Sequence, residues 1–152
     1  MKKKGRSNAQ VAALPFRMRQ EAPEVLLITS RETGRWIIPK GWAQKNRTPR
    51  AVAAHEAYEE AGLVGTVGKR PIGSYRYVKQ LSPTSTVVCK VSVFLLQVEQ
   101  ELDDFPESAA RQRCWLSPDG LRFAGKVGTG FSFREADELH ALCAMASGVM
   151  FF

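Results

Sequence analysis

The sequence has few cysteines, no long hydrophobic run and a shortage of acidic residues. Its three cysteines, Cys89, Cys114 and Cys143, include no C-x-x-C pair, which argues against a disulfide scaffold or a zinc knuckle. We therefore expect buried, reduced thiols and a cytoplasmic location. The longest apolar stretch, ALCAMASGVMFF, is too short to span a bilayer and predicts a core-facing helix. No long apolar segment follows the basic N-terminus, so a signal peptide is not expected.

Acidic residues are outnumbered in this chain. The sequence contains 15 Asp and Glu against 22 Lys and Arg, which gives a formal net charge of +7 and a pI of about 9.6. A basic surface attracts phosphate-rich partners such as nucleotides, polyphosphates, nucleic acid or an anionic membrane surface. The alternative is a protein that is merely basic. Because no spanning segment is present, we expect no membrane partner.

The order of the predicted elements indicates one α+β domain. A chain of 152 residues suggests a single core, which we assign to residues 10–152 after a flexible basic tail over residues 1–9. A phosphate-contacting arm is the alternative for the tail. The predicted elements are a strand hairpin over 24–30 and 35–39, a strand pair over 65–79 around Pro71 and Gly73, a long strand over 86–98, a short strand and turn over 111–121, and a final helix over 132–147 capped by Ser132. This order predicts a sheet covered by helices on both faces rather than a doubly wound parallel sheet.

A further helix is predicted between residues 48 and 62. Thr48 suits the N-cap, and Pro49 suits the first helical position, where its missing N–H has no partner to lose. The segment RAVAAHEAYEEA is rich in helix formers, and Gly62 provides the C-terminal stop. A loop that turns at Gly41 directly follows a predicted strand, so its backbone can approach the same helix.

Three glutamates share one face of this helix. Helical residues advance by about 100° each, so Glu56, Glu59 and Glu60 project to the same side. Like charges at this spacing destabilise a helix by about 0.2–0.5 kcal/mol per pair, and no Lys or Arg follows four residues later to offset them. One interpretation is a solvated acidic face. The other is a site for Mg²⁺ or Mn²⁺, which prefer oxygen ligands and would make the acidic cluster attractive to phosphate.

The stretch GWAQKNRTPRAVAAHEAYEEAGL resembles the Nudix box, Gly-x5-Glu-x7-Arg-Glu-U-x-Glu-Glu-x-Gly-U, in which U is a bulky aliphatic residue. Gly41, the three glutamates, Gly62 and Leu63 match in register, and Ala57 occupies the first U position. The flanking segments WIIPKGW and CWL are similar in particular to the diphosphoinositol polyphosphate and dinucleoside polyphosphate branch of the family. The resemblance implies a Nudix-type α/β/α sandwich and hydrolysis of a nucleoside diphosphate linked to another group.

The resemblance also implies roles for individual residues. The implied metal ligands are Glu56, Glu59, Glu60 and the carbonyl oxygen of Lys40. Glu59 is the implied catalytic base if it is not only a ligand, and Glu56 is the other implied catalytic glutamate. The implied loop along the phosphates is formed by Lys40, Gly41 and Trp42. Some family members use a base from a later loop, for which the candidates here are Glu99, Glu101 and Glu107, each otherwise a plain surface residue.

Basic residues outside the box are candidates for binding the non-reacting phosphates of a substrate. Arg can form forked hydrogen bonds with phosphate, and Lys can act as a point charge. The candidates are Arg76, Lys79, Arg111 and Arg113. Solvated surface charge is the alternative for each of them.

Two positions depart from the box. Arg47 stands where Glu is expected, and His55 stands where Arg is expected. These two positions commonly pair in the family and tie the loop to the helix, so we expect altered loop anchoring and retuned activity. His55 and Glu59 lie four residues apart and could bridge a zinc ion, although HEAYE is not the H-E-x-x-H signature.

The sequence thus predicts an Mg²⁺- or Mn²⁺-dependent pyrophosphohydrolase. Its expected substrate is a dinucleoside polyphosphate, a diphosphoinositol polyphosphate or another highly phosphorylated small molecule. One alternative is a catalytically weak or inactive Nudix-fold module that binds a nucleotide or RNA, which Arg47 and His55 favour. Another is a general nucleic-acid binder. No RNA-binding module is recognisable, so a 5′-phosphorylated RNA end is the one nucleic-acid partner considered, and the oligomeric state is open.

Overall fold

The computed structural model describes residues 8–126 and 136–149, which form eight strands and three helices. The strands are β1 (Ala9–Arg19), β2 (Ala22–Thr29), β3 (Trp36–Ile37), β4 (Lys40–Trp42), β5 (Leu63–Val67), β6 (Gly73–Ser82), β7 (Ser85–Glu101) and β8 (Arg113–Leu116). The helices are α1 (Pro49–Ala61), α2 (Pro118–Ala124) and α3 (Ala136–Ser147). The predicted cap Ser132 and residues 1–7 of the predicted tail lie outside the described residues.

The eight strands form one mixed sheet. β1 and β7 pair in parallel at its centre, from Ala9 opposite Lys90 to Phe16 opposite Gln97. The other pairings are antiparallel: β1 pairs with β2 and β4, β7 with β5 and β6, and β2 with β3 and β8. The predicted hairpin of β2 and β3 is therefore confirmed. The two strands predicted as a pair over residues 65–79 do not pair with each other, because β5 and β6 each pair with a different part of β7.

Helices cover both faces of this sheet, which confirms the predicted α+β architecture. On one face α1 packs Ala53 and Ala57 into a core that includes Leu26. On the other face α2 and α3 contribute Leu121 and Leu142 to a second core. The predicted alternation along β7 is also confirmed, because its alternate residues line this second core: Val87, Cys89, Val91, Val93 and Leu95.

The structure differs from the sequence prediction at three elements, one of which is β4, a strand at residues 40–42 that are predicted as a loop. No strand is predicted over residues 9–19, where β1 lies at the centre of the sheet. Pro15 lies opposite Leu96 of β7, between the ladders that β1 forms with β4 at residues 10–12 and with β2 at residues 16–19, so its missing N–H interrupts neither of these two antiparallel ladders. The turn predicted at the end of residues 111–121 is instead the start of α2, where Gly120 N–H donates to the cap Ser117 at 2.9 Å and Pro118 begins the helix.

The predicted boundaries of α1 are confirmed. Ala51 N–H donates to Thr48 Oγ1 at 3.2 Å, and Pro49 is the first helical residue. Gly62 ends the helix in the left-handed conformation, with φ 69° and ψ 31°. A Cβ atom at Gly62 would lie 2.4 Å from Phe105 Cδ1, so this glycine also allows a buried aromatic ring to pack against the end of the helix.

The three cysteines are free thiols. Cys89 is buried, whereas Cys114 and Cys143 are half-buried, and burial raises the pKa of both half-buried thiols. In the part of the chain that the structure describes, none of the helices has the length and apolar character needed to cross a membrane.

We expect Gly62→Ala to destabilise the protein by at least about 2 kcal/mol, because a left-handed residue with a side chain is strained and the new methyl group would overlap the Phe105 ring. Urea denaturation measures the loss. Gly68→Ala is the control, since the nearest atom to its added Cβ lies 3.7 Å away. Equal losses in the two variants would contradict the explanation.

Candidate active site

Residues 40 and 41, which are predicted as part of a loop, belong to strand β4 and pack directly against two glutamates of α1. A Cβ atom at Gly41 would lie 2.6 Å from Glu56 Oε2, so only glycine lets the backbone come this close to the carboxyl group. One helical turn later, Glu60 Oε1 accepts a hydrogen bond from the Lys40 N–H at 3.2 Å. The backbone at residues 40 and 41 therefore meets two carboxyl groups on one face of α1.

Glu60 is a buried carboxyl group, with 8% of the residue exposed. Burial is the main reason why its pKa rises to about 8, and a hydrogen bond with the Glu56 side chain adds to the rise. The charge of Arg111 and the Lys40 N–H act in the opposite direction. A carboxyl pair of this kind needs a proton or a cation between its oxygens. The two carboxyl groups offer oxygen ligands side by side, and oxygen ligands suit Mg²⁺ or Mn²⁺.

Glu59 has different neighbours. Its Oε1 lies 3.8 Å from His55 Nε2, and its backbone carbonyl accepts a hydrogen bond from Glu107 N–H at 3.1 Å. Across residues 8–126 and 136–149, no group of three His, Cys, Asp or Glu side chains is arranged to hold a metal ion. The structure thus brings Glu56 and Glu60 together but not all three glutamates, and the zinc site considered at His55 and Glu59 has no third ligand among those residues.

Arg111 connects the glutamate face to two other segments. Its Nη1 donates to the Thr29 carbonyl at 2.9 Å, and its Nε donates to Glu107 Oε1 at 2.9 Å. Its Nη2 lies 3.7 Å from Glu60 Oε1, and only 6% of the side chain is exposed. A positive charge is therefore held beside Glu60 with little freedom to move.

Among the three later glutamates, Glu107 is the one linked to the site, through Arg111. Glu99 accepts a hydrogen bond from Thr66 at 2.8 Å. Glu101 accepts one from the Trp115 ring N–H at 3.2 Å.

A pocket of about 410 Å³ lies beside Glu60. Its charged lining is mostly basic: Arg31, Arg35, Lys40, Lys79 and Arg111 against Glu32 and Glu60. Concave basic surfaces concentrate anions, and this pocket is large enough for a polyphosphate group. The site therefore combines a carboxyl pair with a cationic approach to it.

The Lys40 side chain lies over the ring of Tyr77, a buried residue that lines the pocket. Its Nζ is 5.2 Å from the centre of the Tyr77 ring, within the range of a cation–π contact. The Tyr77 hydroxyl donates to Gln10 Oε1 at 2.5 Å, and both of these residues are buried. All three residues line the pocket.

The predicted substrate contacts divide into two groups. Lys40 and Lys79 line the pocket, and Gly41 lies at its glutamate end. Trp42 is partly buried against the hydrophobic core, so covering the loop is the role that its position supports. Arg76 is exposed on β6 between two buried tyrosines and does not line the pocket.

Arg113, a predicted substrate-binding residue, contacts the backbone and an aromatic ring of the protein. Its Nη1 donates to the carbonyl oxygens of Ala61 at 3.0 Å and Leu102 at 2.8 Å. Its guanidinium carbon lies 4.9 Å from the centre of the Phe105 ring. These contacts hold Arg113 at the C-terminal end of α1, outside the pocket lining.

Several residues that line the pocket are not predicted from the sequence. Arg31 and Arg35 lie in and beside the turn between β2 and β3, and they line the pocket together with Gln10 and Tyr77. The available signal was the pair of arginines at the two ends of the short connection between the predicted strands, Arg31 and Arg35. Their place beside the site depends on the strand next to β2, and that strand, β1, was not predicted from the sequence.

Sequence comparison relates this chain to one family: residues 7–133 match the profile of the NUDIX domain. Nudix hydrolase 12, mitochondrial, of Arabidopsis thaliana is 36% identical over 100 residues, covering 62% of this chain and 48% of that protein. Nudix hydrolase 18, mitochondrial, of the same plant is 31% identical over 128 residues, covering 80% and 70%. Diphosphoinositol polyphosphate phosphohydrolase 2 of Rattus norvegicus is 33% identical over 109 residues, covering 70% and 56%. The chain spans about half the length of the first and third of these relatives.

Solved structures share the fold at low sequence identity. Ap4A hydrolase of C. elegans superposes with a TM-score of 0.55 at 17% identity, covering 93% of this chain and 97% of that one. A NUDIX hydrolase of Listeria monocytogenes superposes with a TM-score of 0.64 at 14% identity, covering 92% of each chain. At these identities the likeness concerns the fold alone.

The raised pKa of Glu60 predicts how stability depends on pH when divalent ions are removed with EDTA. The folded protein keeps this proton up to about pH 8, whereas the unfolded chain loses it near its ordinary value of 4.5. The folded state binds more protons in this window, so the contribution of Glu60 to stability is complete below pH 4.5 and is lost as the pH rises to about 8. Between pH 4.5 and about pH 8, the free energy of unfolding of the wild type should therefore fall by a few kcal/mol more than that of Glu60→Gln. The size follows because a shift of one pKa unit corresponds to about 1.4 kcal/mol.

Urea denaturation at half-unit pH intervals measures this difference. Glu32→Gln, at an exposed residue of the turn between β2 and β3, is the control and should follow the wild-type curve. A wild-type curve parallel to that of Glu60→Gln between pH 4.5 and pH 8 would show that Glu60 is not protonated in the folded protein.

Proposed function

Because this chain belongs to the Nudix family, we propose that it is a pyrophosphohydrolase that depends on a divalent metal ion. The observation that carries the proposal is the carboxyl pair of Glu56 and Glu60, which meets the backbone of residues 40 and 41 at one end of a basic pocket. Such a pair can exchange its shared proton for a cation, and the pocket can hold the polyphosphate that the cation would act on.

We assign Glu56, Glu60 and the carbonyl oxygen of Lys40 to hold Mg²⁺ or Mn²⁺. When bound, such an ion supplies Lewis-acid stabilisation of phosphoryl oxygens and lowers the pKa of an attacking water. Glu59 is half-exposed and is assigned as a further ligand or as the base that accepts a proton from that water. Glu56 is also assigned as a catalytic residue, because its carboxyl group is hydrogen-bonded to that of Glu60.

The basic side chains of the pocket are assigned to the substrate. Lys40 and Lys79 would bind phosphate oxygens from β4 and β6, while Arg31 and Arg35 would do so from the turn between β2 and β3. Arg111 would balance part of the negative charge at Glu60. Phosphates held at several points place the scissile anhydride beside the glutamates, and such positioning accounts for much of catalysis in phosphoryl transfer.

The proposed substrate is a densely phosphorylated small molecule of the dinucleoside polyphosphate or diphosphoinositol polyphosphate type. The five basic residues of the pocket favour a substrate with several phosphates. The names of one relative and one structural neighbour, a diphosphoinositol polyphosphate phosphohydrolase and an Ap4A hydrolase, point to the same two substrate types. A cytoplasmic location and the absence of a membrane partner stay predictions.

A second candidate function is a module that binds a nucleotide or RNA without efficient turnover. The contact of His55 with Glu59 favours it, because a box position that usually carries Arg here holds a residue paired to the proposed base. Tight binding of a polyphosphate with no turnover in Mg²⁺ or Mn²⁺ would support this candidate over the enzyme.

A substrate screen tests the enzyme directly. Dinucleoside polyphosphates, inositol pyrophosphates, nucleotide sugars, nucleoside triphosphates and 5′-triphosphate RNA are incubated with Mg²⁺ or Mn²⁺, and the released phosphate species are identified. Glu60→Gln should lower kcat on the preferred substrate at least about 100-fold, because it removes one charged ligand from a preorganised site. Undiminished turnover in Glu60→Gln would refute the assigned role of this residue.

Gly41→Ala should lower the affinity for Mn²⁺ by about 10- to 100-fold, because its methyl group would overlap the Glu56 carboxyl group and displace it. Titration of Mn²⁺ by electron paramagnetic resonance measures the free ion. Gly68→Ala is the matched control, since its added methyl group meets only ordinary contacts, and it should bind as the wild type does. Equal affinity of all three proteins would show that Glu56 does not ligate the ion.

A further inference from the structure

The last turn of α1 carries two glutamates at an end of the helix that disfavours negative charge. Glu59 and Glu60 lie at the C-terminal end of the helix, where the aligned peptide dipoles already leave partial negative charge. α1 has no basic residue of its own in that turn. Compensating charge and hydrogen-bond donors must therefore come from outside the helix.

Arg113, which lies on β8, brings a positive charge and hydrogen-bond donors to this end of the helix. Ala61 is the last residue of α1, and its carbonyl group has no partner within the helix. Arg113 Nη1 donates to that oxygen at 3.0 Å and to the Leu102 carbonyl at 2.8 Å. The guanidinium group also lies against the Phe105 ring, and only 19% of the side chain is exposed.

The segment before β8 is docked on the same turn by its backbone. Leu102 N–H donates to the Gly62 carbonyl at 2.8 Å, and Glu107 N–H donates to the Glu59 carbonyl at 3.1 Å. Together with Arg113, residues 102–113 thus supply partners for the carbonyl groups of residues 59, 61 and 62. The backbone that carries both glutamates is held on both sides of Glu60.

We propose that Arg113 is a positioning residue, which fixes the last turn of α1 and thereby the direction of the Glu60 carboxyl group toward the Lys40 backbone. The inference rests on the proposed function, because it concerns the side chain assigned there as a metal ligand. Arg113 does not line the pocket, so it acts through Glu60 and not on the substrate. Residues that orient a ligand typically change metal affinity by about 10- to 100-fold when they are replaced.

The test compares three variants with the wild type. Arg113→Met keeps an unbranched apolar stem over Phe105 but removes every donor, and Arg113→Lys keeps the charge with a single donating group. Arg50→Met is the matched control: Arg50 Nη2 donates to the Val67 carbonyl at 2.9 Å, so this variant also removes an arginine-to-carbonyl bond from α1, but at the opposite end.

Mn²⁺ affinity is measured by electron paramagnetic resonance on samples shown to be folded by circular dichroism. We expect about tenfold weaker binding in Arg113→Met, a loss of about threefold in Arg113→Lys and no change in Arg50→Met. With the preferred substrate of the wild type, Arg113→Met should need more Mn²⁺ for half-maximal activity while its KM for substrate is unchanged. If the role of Arg113 is purely structural, Arg113→Met should lower the midpoint temperature of unfolding. The Mn²⁺ affinity and the Mn²⁺ concentration needed for half-maximal activity should then stay the same.

The outcomes separate the two proposals. Wild-type protein that neither binds Mn²⁺ nor turns over any substrate would reject the proposed function itself. Wild-type protein that binds Mn²⁺, combined with unchanged affinity in folded Arg113→Met, would reject the positioning role alone. If Arg113→Met does not fold, Arg113→Lys decides, because unchanged affinity in that variant rejects the proposal and a weaker affinity that Arg50→Met does not share supports it.

Discussion

The arrangement of the site depends on the burial of one carboxyl group in a basic protein. Glu60 lies between the Lys40 backbone, the Glu56 side chain and the Arg111 guanidinium group. Removing a charge from water is costly unless a proton, a counter-charge or a metal ion compensates for it. The raised pKa is the sign of that cost, and a divalent cation would take the place of the proton. The acidic face of α1 is thus stabilised by positive charge beside it.

The fold meets this requirement by holding α1 at both ends. At its start Thr48 caps the first turn, and Arg50 reaches the Val67 carbonyl. At its end Gly62 adopts the left-handed conformation, and residues 102–113 donate hydrogen bonds to the carbonyl groups of residues 59, 61 and 62. The close approach of Gly41 then leaves the Glu56 carboxyl group little room to move. The carboxyl groups of Glu56 and Glu60 are kept close because the backbone that carries them is anchored independently.

Part of the positive charge of the chain is concentrated in the pocket beside Glu60. The pocket collects basic side chains from the turn after β2, from β4, from β6 and from the segment before β8. Arg111 is part of the framework, since it is bonded to Thr29 and Glu107, whereas Arg31 is exposed at the rim. Basic residues therefore act in two ways: some balance the buried glutamate, and others face the space where a polyphosphate would bind.

The sequence alone determined the fold class and the helix that carries the glutamates, because these depend on local signals. The cap at Thr48, the stop at Gly62 and the spacing of the glutamates are set by contacts within a few residues, and the structure has the helix where those signals place it. The alternation along β7 is equally local and was equally readable. The family followed from the same short stretch, since its pattern of residues is long and specific.

Only the tertiary structure decided which distant residues meet that helix. Arg113 was predicted to contact substrate but holds the helix end, and Arg31 was not predicted although it lines the pocket. Both outcomes depend on strand order, which places β2 between β1 and β8 and brings residues far apart in sequence together. The separation of Glu59 from the pair formed by its neighbours also required coordinates. Helical spacing determines which face a side chain occupies, but the partners packed against that face determine where its charge comes to lie.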